Sequence, residues 1–293
     1  MNDVLYTVRI ETNLDFGSIV EAGLELLDEH MIVVRHVDTN LALIESYHHN
    51  RAAAEDQEQR LRAHLSEWSR EDPWEMCVMC LPDCDWQERW KSFFHTEHIT
   101  PRLVIKPSWE RYDAKNNEIV IEMDPGLSFG TGSHFTTKSC LECIDAFPNS
   151  EAQRAFLDLG CGSGILAIAA ARLGFSPVVA IDVDAVAVAR TRDNAETNEV
   201  NRIIECHHTS LAEYRPTGRY DLIAANLYAD VLVSMVGRIG AMLAEDSHAR
   251  IILSGILNEQ YSYVASVFDA AGFEEVQVLS DHEWTTMMLR RRV

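Results

Sequence analysis

The first chemistry legible in this chain lies in the nine residues from Phe156 to Gly164, Phe-Leu-Asp-Leu-Gly-Cys-Gly-Ser-Gly. An apolar run ends in Asp158 and a loop of three glycines, Gly160, Gly162 and Gly164, and a helix-like run from Ile165 to Leu173 follows. A second apolar run, Val178 to Ile181, ends in Asp182, 22 residues after Gly160. Glycines let a ligand approach the backbone, and an acid at the tip of the next strand accepts hydrogen bonds from both hydroxyls of a ribose. A dinucleotide fingerprint would need its third glycine at position 165, which is Ile165. Asp158 suits a ligand with an amino-acid cation to hold and no pyrophosphate. The spacing therefore favours S-adenosylmethionine over NAD. The plain alternative is a tight strand-to-helix turn that holds nothing.

A second loop precedes a helix. Asp124-Pro-Gly-Leu-Ser-Phe-Gly-Thr-Gly-Ser-His-Phe-Thr-Thr137 packs three glycines and several hydroxyls together, with Phe129 and His134 inside it. Thr136 or Thr137 is expected to cap a helix over Lys138–Phe147. Hydroxyls and glycines at a helix start suit a carboxylate, such as the methionine end of the same ligand. An ordinary long turn is the alternative.

The elements that must carry these loops alternate. Strand-like runs fall at Leu103–Ile105, Ile119–Glu122, Phe156–Leu159, Val178–Ile181, Ile203–Cys206, Leu222–Asn226, Ile251–Leu253, Val276–Leu279 and Thr285–Leu289, with helical runs between most of them. That pattern implies an α/β domain with a mostly parallel sheet covered on both faces. Ser280–Glu283 is too short for a parallel crossover, so the last pair is antiparallel. A parallel sheet closed by such a hairpin is the Rossmann-like plan of the class I S-adenosylmethionine-dependent methyltransferases.

The first 84 residues are expected to form a separate, ferredoxin-like α+β domain in the order β-α-β-β-α-β. The expected strands are Tyr6–Glu11, Met31–Val37, Leu41–Tyr47 and Trp74–Leu81. The expected helices are Phe16–His30, with Ile19, Gly23, Leu26 and Leu27 on one face, and Arg51–Trp68, with Leu61, Leu65 and Trp68 on one face. Residues 85–98 are expected to be a linking helix whose Trp86, Trp90 and Phe94 pin the two domains, and residues 99–293 the α/β domain.

At 293 residues and 47% apolar, the chain can bury a real core. Its net charge is −21, which argues against a nucleic-acid binder. Residues 1–85 carry 18 acidic and 6 basic residues and no lysine, net −12, so this module either steers a basic partner or is simply an acidic surface. No apolar run approaches membrane-spanning length, the amino-terminus has no basic start with an apolar core, and seven cysteines suit a reducing compartment; a cytoplasmic monomer is expected. Cys77 and Cys80 would point to opposite faces of a strand, Cys161 reads as filler in its loop, and the His pairs lack ligand spacing, so no metal is expected.

The motifs D-P-G-L-S-F-G-T-G-S-H-F-T-T, D-L-G-C-G-S-G-I-L-A-I-A-A, I-D-V-D and A-N-L closely resemble the PrmA-type methyltransferases, from about Trp86 to the carboxy-terminus. That family methylates lysine side chains and the N-terminal amine of large-subunit ribosomal protein L-eleven. The resemblance implies S-adenosylmethionine as cofactor and a basic ribosomal protein as partner, gripped by the amino-terminal domain. It puts the cofactor positions on Thr137, Gly160, Asp182 and Asn226, beside Asp158, Gly162 and Phe129. Asn226 would sit over the methyl-transfer position and contact the cofactor or the incoming amine through its side-chain amide or its backbone carbonyl, and His134 is the nearest candidate proton acceptor, with loop structure as its plainer role. Two departures bear on the substrate: Phe135 replaces the family's usual proline, and Leu227-Tyr228-Ala229-Asp230 replaces an apolar-Ala-Gly/Asn-Pro sequence. Tyr228 and Asp230 either line an amine pocket or only begin the next helix. Competing readings are a methyltransferase for another protein lysine or a small molecule, and a non-catalytic cofactor-binding docking module. Turnover of labelled cofactor separates the last from the others.

Overall fold

In the computed structural model of the chain, the described residues are 5–14, 16–17, 20, 24, 32–36, 40–48, 50–68, 74–81, 95–115, 117–124, 134–148 and 153–292. The chain divides into two compact units, Met1–Phe93 and Phe94–Val293.

The first unit is a four-stranded antiparallel sheet in the order β2-β3-β1-β4, formed by β1 (Leu5–Thr12), β2 (Ile32–His36), β3 (Leu41–His48) and β4 (Trp74–Leu81). Alternation buries one face: Val8 and Ile10 of β1 and Ala42 and Ile44 of β3 are inaccessible, and Ile10 pairs with both Ile44 and Met76. Helix α1 (Arg51–Trp68) adds Ala54, Leu61 and Leu65 to that core and is capped by Asn50, whose Oδ1 accepts from Ala53 N at 2.8 Å. Between β1 and β2 the described residues Leu14, Phe16, Gly17, Val20 and Leu24 are helical, with Phe16, Val20 and Leu24 buried at i, i+4, i+8 spacing. The expected face of that helix (Ile19, Gly23, Leu26, Leu27) and the Trp68 side chain lie outside the described residues.

The second unit opens with a small sheet of β5 (Glu97–His98), β6 (Leu103–Lys106) and β7 (Ile119–Glu122), in which β6 and β7 run parallel. Residues 85–94 of the expected linking helix, with Trp86, Trp90 and Phe94, lie outside the described residues. Its last two residues are extended instead, because Thr100 Oγ1 accepts from Leu103 N at 3.0 Å and turns the chain back, pairing Glu97 with Ile105. The first two strand runs expected of the α/β domain therefore belong to this sheet, apart from the main one.

The main sheet has seven strands: β8 (Phe156–Leu159), β9 (Val178–Asp182), β10 (Ile204–His208), β11 (Leu222–Asn226), β12 (Arg250–Leu257), β13 (Phe273–Ser280) and β14 (Trp284–Arg291). Their order is β10-β9-β8-β11-β12-β14-β13, parallel through β12, with antiparallel β14 between β12 and β13. The central strands are buried on both faces, so they read as continuous apolar runs. Phe156, Val178, Leu222 and Ala224 face a core shared with α2 (Phe135–Ala146) and α3 (Ile165–Arg172). Leu157, Leu159, Ile223 and Ala225 face the other core, with α5 (Ala229–Ser234), α6 (Val236–Met242) and α7 (Tyr261–Ala270). Helix α4 (Ala185–Thr197) covers β9 and β10.

Candidate active site

Strand order reverses between β8 and β11, since β9 and β10 lie to one side and β12 to the other. At such a switch point the loops beyond the strand ends part and leave a crevice for a ligand. Ile181 and Ala225 both pair with Leu159, so Asp182, Gly160 and Asn226 emerge side by side at that crevice.

The glycine loop is folded back over the end of β9. Gly160 N and Cys161 N both donate to Ile181 O, at 2.9 and 3.0 Å. Gly160, Gly162 and Gly164 all have positive φ, the region that favours glycine. Gly160 also needs its missing side chain for packing, because a Cβ there would stand 2.5 Å from Leu227 Cδ2. Helix α4 clamps the loop from outside: Thr191 Oγ1 bonds Gly162 O at 3.2 Å, and Asn194 Nδ2 donates to Ser163 O at 2.8 Å.

Each acid has a defined setting. Gly164 offers no side chain to cap α3, and Asp158 does so from β8, its Oδ2 accepting from Ala167 N at 3.1 Å. Its Oδ1 is buried and has no partner among the described residues. Burial pushes the Asp158 carboxyl up to about 7, the Ala167 amide opposes this, and the Asp182 charge reinforces it. Asp182 is held by both oxygens: Oδ2 accepts from Gly162 N and Oδ1 from Asp184 N, each at 2.9 Å. A carboxylate has about four lone-pair sites, so this grip fixes its direction and still leaves acceptors for a diol.

The end of the second loop, His134–Thr137, forms the start of α2. Residues 125–133, including Phe129, lie outside the described residues. The helix begins at Phe135, earlier than the expected Lys138, and its cap is His134 and not Thr136 or Thr137: His134 Nδ1 accepts from Thr136 N at 3.3 Å. The ring is braced edge-on by Trp284, centroids 5.4 Å apart. Both threonines consequently lie in the first turn and are buried. Thr137 Oγ1 is a second buried polar atom without a partner among the described residues. Asn226 Nδ2 donates to Thr136 Oγ1 at 3.2 Å, which joins the tip of β11 to the start of α2.

Orphaned buried polar atoms are rare, because each costs about 1–3 kcal/mol unless something satisfies it. Two of the three such side-chain atoms among the described residues, Thr137 Oγ1 and Asp158 Oδ1, belong to the residues expected at the amino-acid end of the ligand. The donor set fits S-adenosylmethionine in this respect: an acceptor for its ammonium, a hydroxyl for its carboxylate and an oriented acid for its ribose. Beside Asp182, Val183 is 68% exposed and offers an apolar surface that the sequence reading did not single out. Tyr228 is 76% exposed and Asp230 is exposed in the first turn of α5, so neither is enclosed in a pocket by the described residues. Among the described residues no three His, Cys, Asp or Glu side chains converge as a metal site, and no helix is long and apolar enough to cross a membrane.

The sheet order, the antiparallel β14 and the acid at the tip of β9 define a class I, Rossmann-like methyltransferase fold. A crystal structure of ribosomal protein L11 methylase from Lactobacillus delbrueckii subsp. bulgaricus superposes with a TM-score of 0.62 at 30% identity, covering 68% of this chain and all of that one. Residues 18–292 match the family model Ribosomal protein L11 methyltransferase (PrmA), and the chain belongs to that family. A ribosomal protein L11 methyltransferase of Heliobacterium modesticaldum is 33% identical over 267 residues, 90% of this chain and 83% of that protein. Another, of Acetivibrio thermocellus, is 38% identical over 206 residues, which span 70% of this chain and 64% of its relative.

Proposed function

We propose that this protein transfers methyl groups from S-adenosylmethionine to lysine side-chain and/or N-terminal amines of the large-subunit ribosomal protein L11. The observation that carries the reading is the meeting of Asp182, Gly160 and Asn226 at the strand switch point with two unsatisfied buried polar atoms, Thr137 Oγ1 and Asp158 Oδ1. Membership of the family supplies the substrate class.

Bound S-adenosylmethionine supplies a sulfonium methyl carbon for in-line attack by a neutral amine. Thr137 and Asp158 hold the amino-acid end, the Gly160–Gly162 loop admits it to the backbone, and Asp182 takes the ribose hydroxyls. Asn226 orients the amine. A lysine ammonium loses its proton at a pKa near 10.4 in water, so the site must first desolvate it. Positioning supplies most of the acceleration. His134 Nδ1 is engaged as a helix cap, which favours a structural role over that of proton acceptor. The lysine-free, acidic residues 1–84 grip the basic substrate protein, and the reaction takes place where ribosomal proteins are made, in the cytoplasm.

The test is mass spectrometry of ribosomal proteins incubated with the enzyme and S-adenosylmethionine. Methyl groups on L11 amines support the reading. Methylation of another protein in preference to L11, or cofactor binding without turnover, refutes it.

A further inference from the structure

The amide of Asn226 has two ends of similar size and opposite polarity, and the reaction needs a particular one to face the amine. An N–H group of the substrate can be held by the carbonyl oxygen Oδ1, whereas the Nδ2 end would repel it. The surroundings of Thr136 decide between them. Thr136 N donates to His134 Nδ1 at 3.3 Å. A backbone amide can only donate, so this ring nitrogen carries no proton. Thr136 Oγ1 lies 2.8 Å from the same nitrogen, and its hydroxyl hydrogen must therefore point there. With that hydrogen committed, Oγ1 can only accept from its other neighbour. Asn226 stands 3.2 Å away and must present Nδ2 to it. The polarity thus runs in one direction from a main-chain amide, through a ring nitrogen and a hydroxyl, to the side chain at the crevice.

Thr136 is itself held in place. It is 1% exposed, and its carbonyl accepts from Ser139 Oγ at 3.2 Å and from Ser254 Oγ at 3.3 Å. Both serine hydroxyls meet Thr286 Oγ1 at 2.6 Å, so β12 and β14 fix the first turn of α2. The other end of the amide also has a defined neighbour. A Cβ on Gly255 would lie 3.2 Å from Asn226 Oδ1 and 2.7 Å from the carbonyl oxygen of Leu227.

We propose that Thr136 is a positioning residue: its hydroxyl locks the Asn226 amide with Oδ1 turned toward the acceptor amine. This rests on the reading that Asn226 meets the amine. Thr137, one residue on, serves the cofactor, so the two neighbouring threonines divide the work.

Thr136→Val keeps the shape and removes the hydroxyl, and Thr136→Ser keeps the hydroxyl. On purified L11, Thr136→Val should lower kcat about tenfold or more, the effect of losing one oriented hydrogen bond. Its Kd for S-adenosylmethionine should stay within about twofold, and Thr136→Ser should recover most of the rate. An undiminished kcat in Thr136→Val overturns the proposal. So does an equal loss in both variants accompanied by loss of cofactor binding, which marks a structural role. A second measurement needs no substrate. In nitrogen-15 spectra of the full chain, His134 Nδ1 should resonate as an unprotonated nitrogen, and the Asn226 side-chain NH2 signals, assigned by their absence in Asn226→Asp, should move in Thr136→Val. A protonated Nδ1, or NH2 signals indifferent to Thr136→Val, overturns it. If the parent protein leaves L11 unmethylated, the functional reading fails and these spectra alone decide the role of Thr136.

Discussion

Asp158→Asn should change how the ligand-free protein responds to pH, and by an amount that follows from its setting. The Asp158 carboxyl lies in the core beneath the glycine loop, with one oxygen bonded to Ala167 N and the other unpartnered. Burial raises its pKa from 3.8 to about 7. Between these values the folded chain keeps a proton that the unfolded chain has lost. Stability from this group is therefore complete below about pH 4, declines as pH rises, and is gone above about pH 7. A shift of roughly 3 units at 1.36 kcal/mol each corresponds to about 4 kcal/mol. Asn cannot titrate. Other groups contribute their own slopes to both proteins, so the informative quantity is the difference between parent and variant. Urea unfolding without ligand, at pH 5, 6, 7 and 8, should show that difference moving in favour of Asp158→Asn as pH rises. Most of the change should fall below pH 7. Ligand binding gives the complementary sign: a cation placed at Oδ1 favours the carboxylate, so S-adenosylmethionine should release a proton on binding below pH 7. Calorimetry in buffers of different ionisation enthalpy would detect that proton in the parent and none in the variant. Parallel pH profiles for the two proteins would refute the buried-carboxyl account, and with it the role of Asp158 as the site for an ammonium group.

Asp182→Ala should weaken S-adenosylmethionine binding by about 1–3 kcal/mol in calorimetry, the scale of hydrogen bonds to a charged acceptor; unchanged affinity would remove the ribose role. Asn226→Ala should lower single-turnover rates more than it lowers cofactor affinity, and a parent-level rate would make Asn226 structural. Gly255→Ala should cost about 1–2 kcal/mol in thermal unfolding for a side chain at φ +77. It should also slow turnover, because the new Cβ would press on the Leu227 carbonyl at 2.7 Å; normal kinetics would show that this carbonyl does not shape the site. A chain beginning near Asp85, once shown to be folded, should still bind the cofactor and lose methylation of intact L11. Full activity on L11 would leave the acidic domain without a recognition role.

The strand pattern was legible because every central strand is apolar on both faces. Phe156–Leu159 and Leu222–Asn226 have the ends expected of them: the first apolar run stops at Gly160, whose φ is positive, and the second at the polar Asn226. The glycines were legible because few residue types tolerate positive φ, and Asp182 because a polar residue ending an apolar run marks the end of its strand. Less visible were features that depend on what lies across the fold. The sequence pointed to Thr136 or Thr137 as the helix cap because hydroxyls usually cap helices. His134 caps instead, since Trp284 from β14 braces its ring and the first turn is drawn under β12 and β14. The same tertiary pull turns a threonine that would have been a local cap into the partner of Asn226, 90 residues away. Gly160 shows the same dependence: a glycine expected to make room for ligand also makes room for Leu227. Leu227 directly follows Asn226, so the Gly160–Gly164 loop and the end of β11 are packed as one body. A substitution in either is felt by the other, and rate and affinity must therefore be measured separately at every position of this crevice.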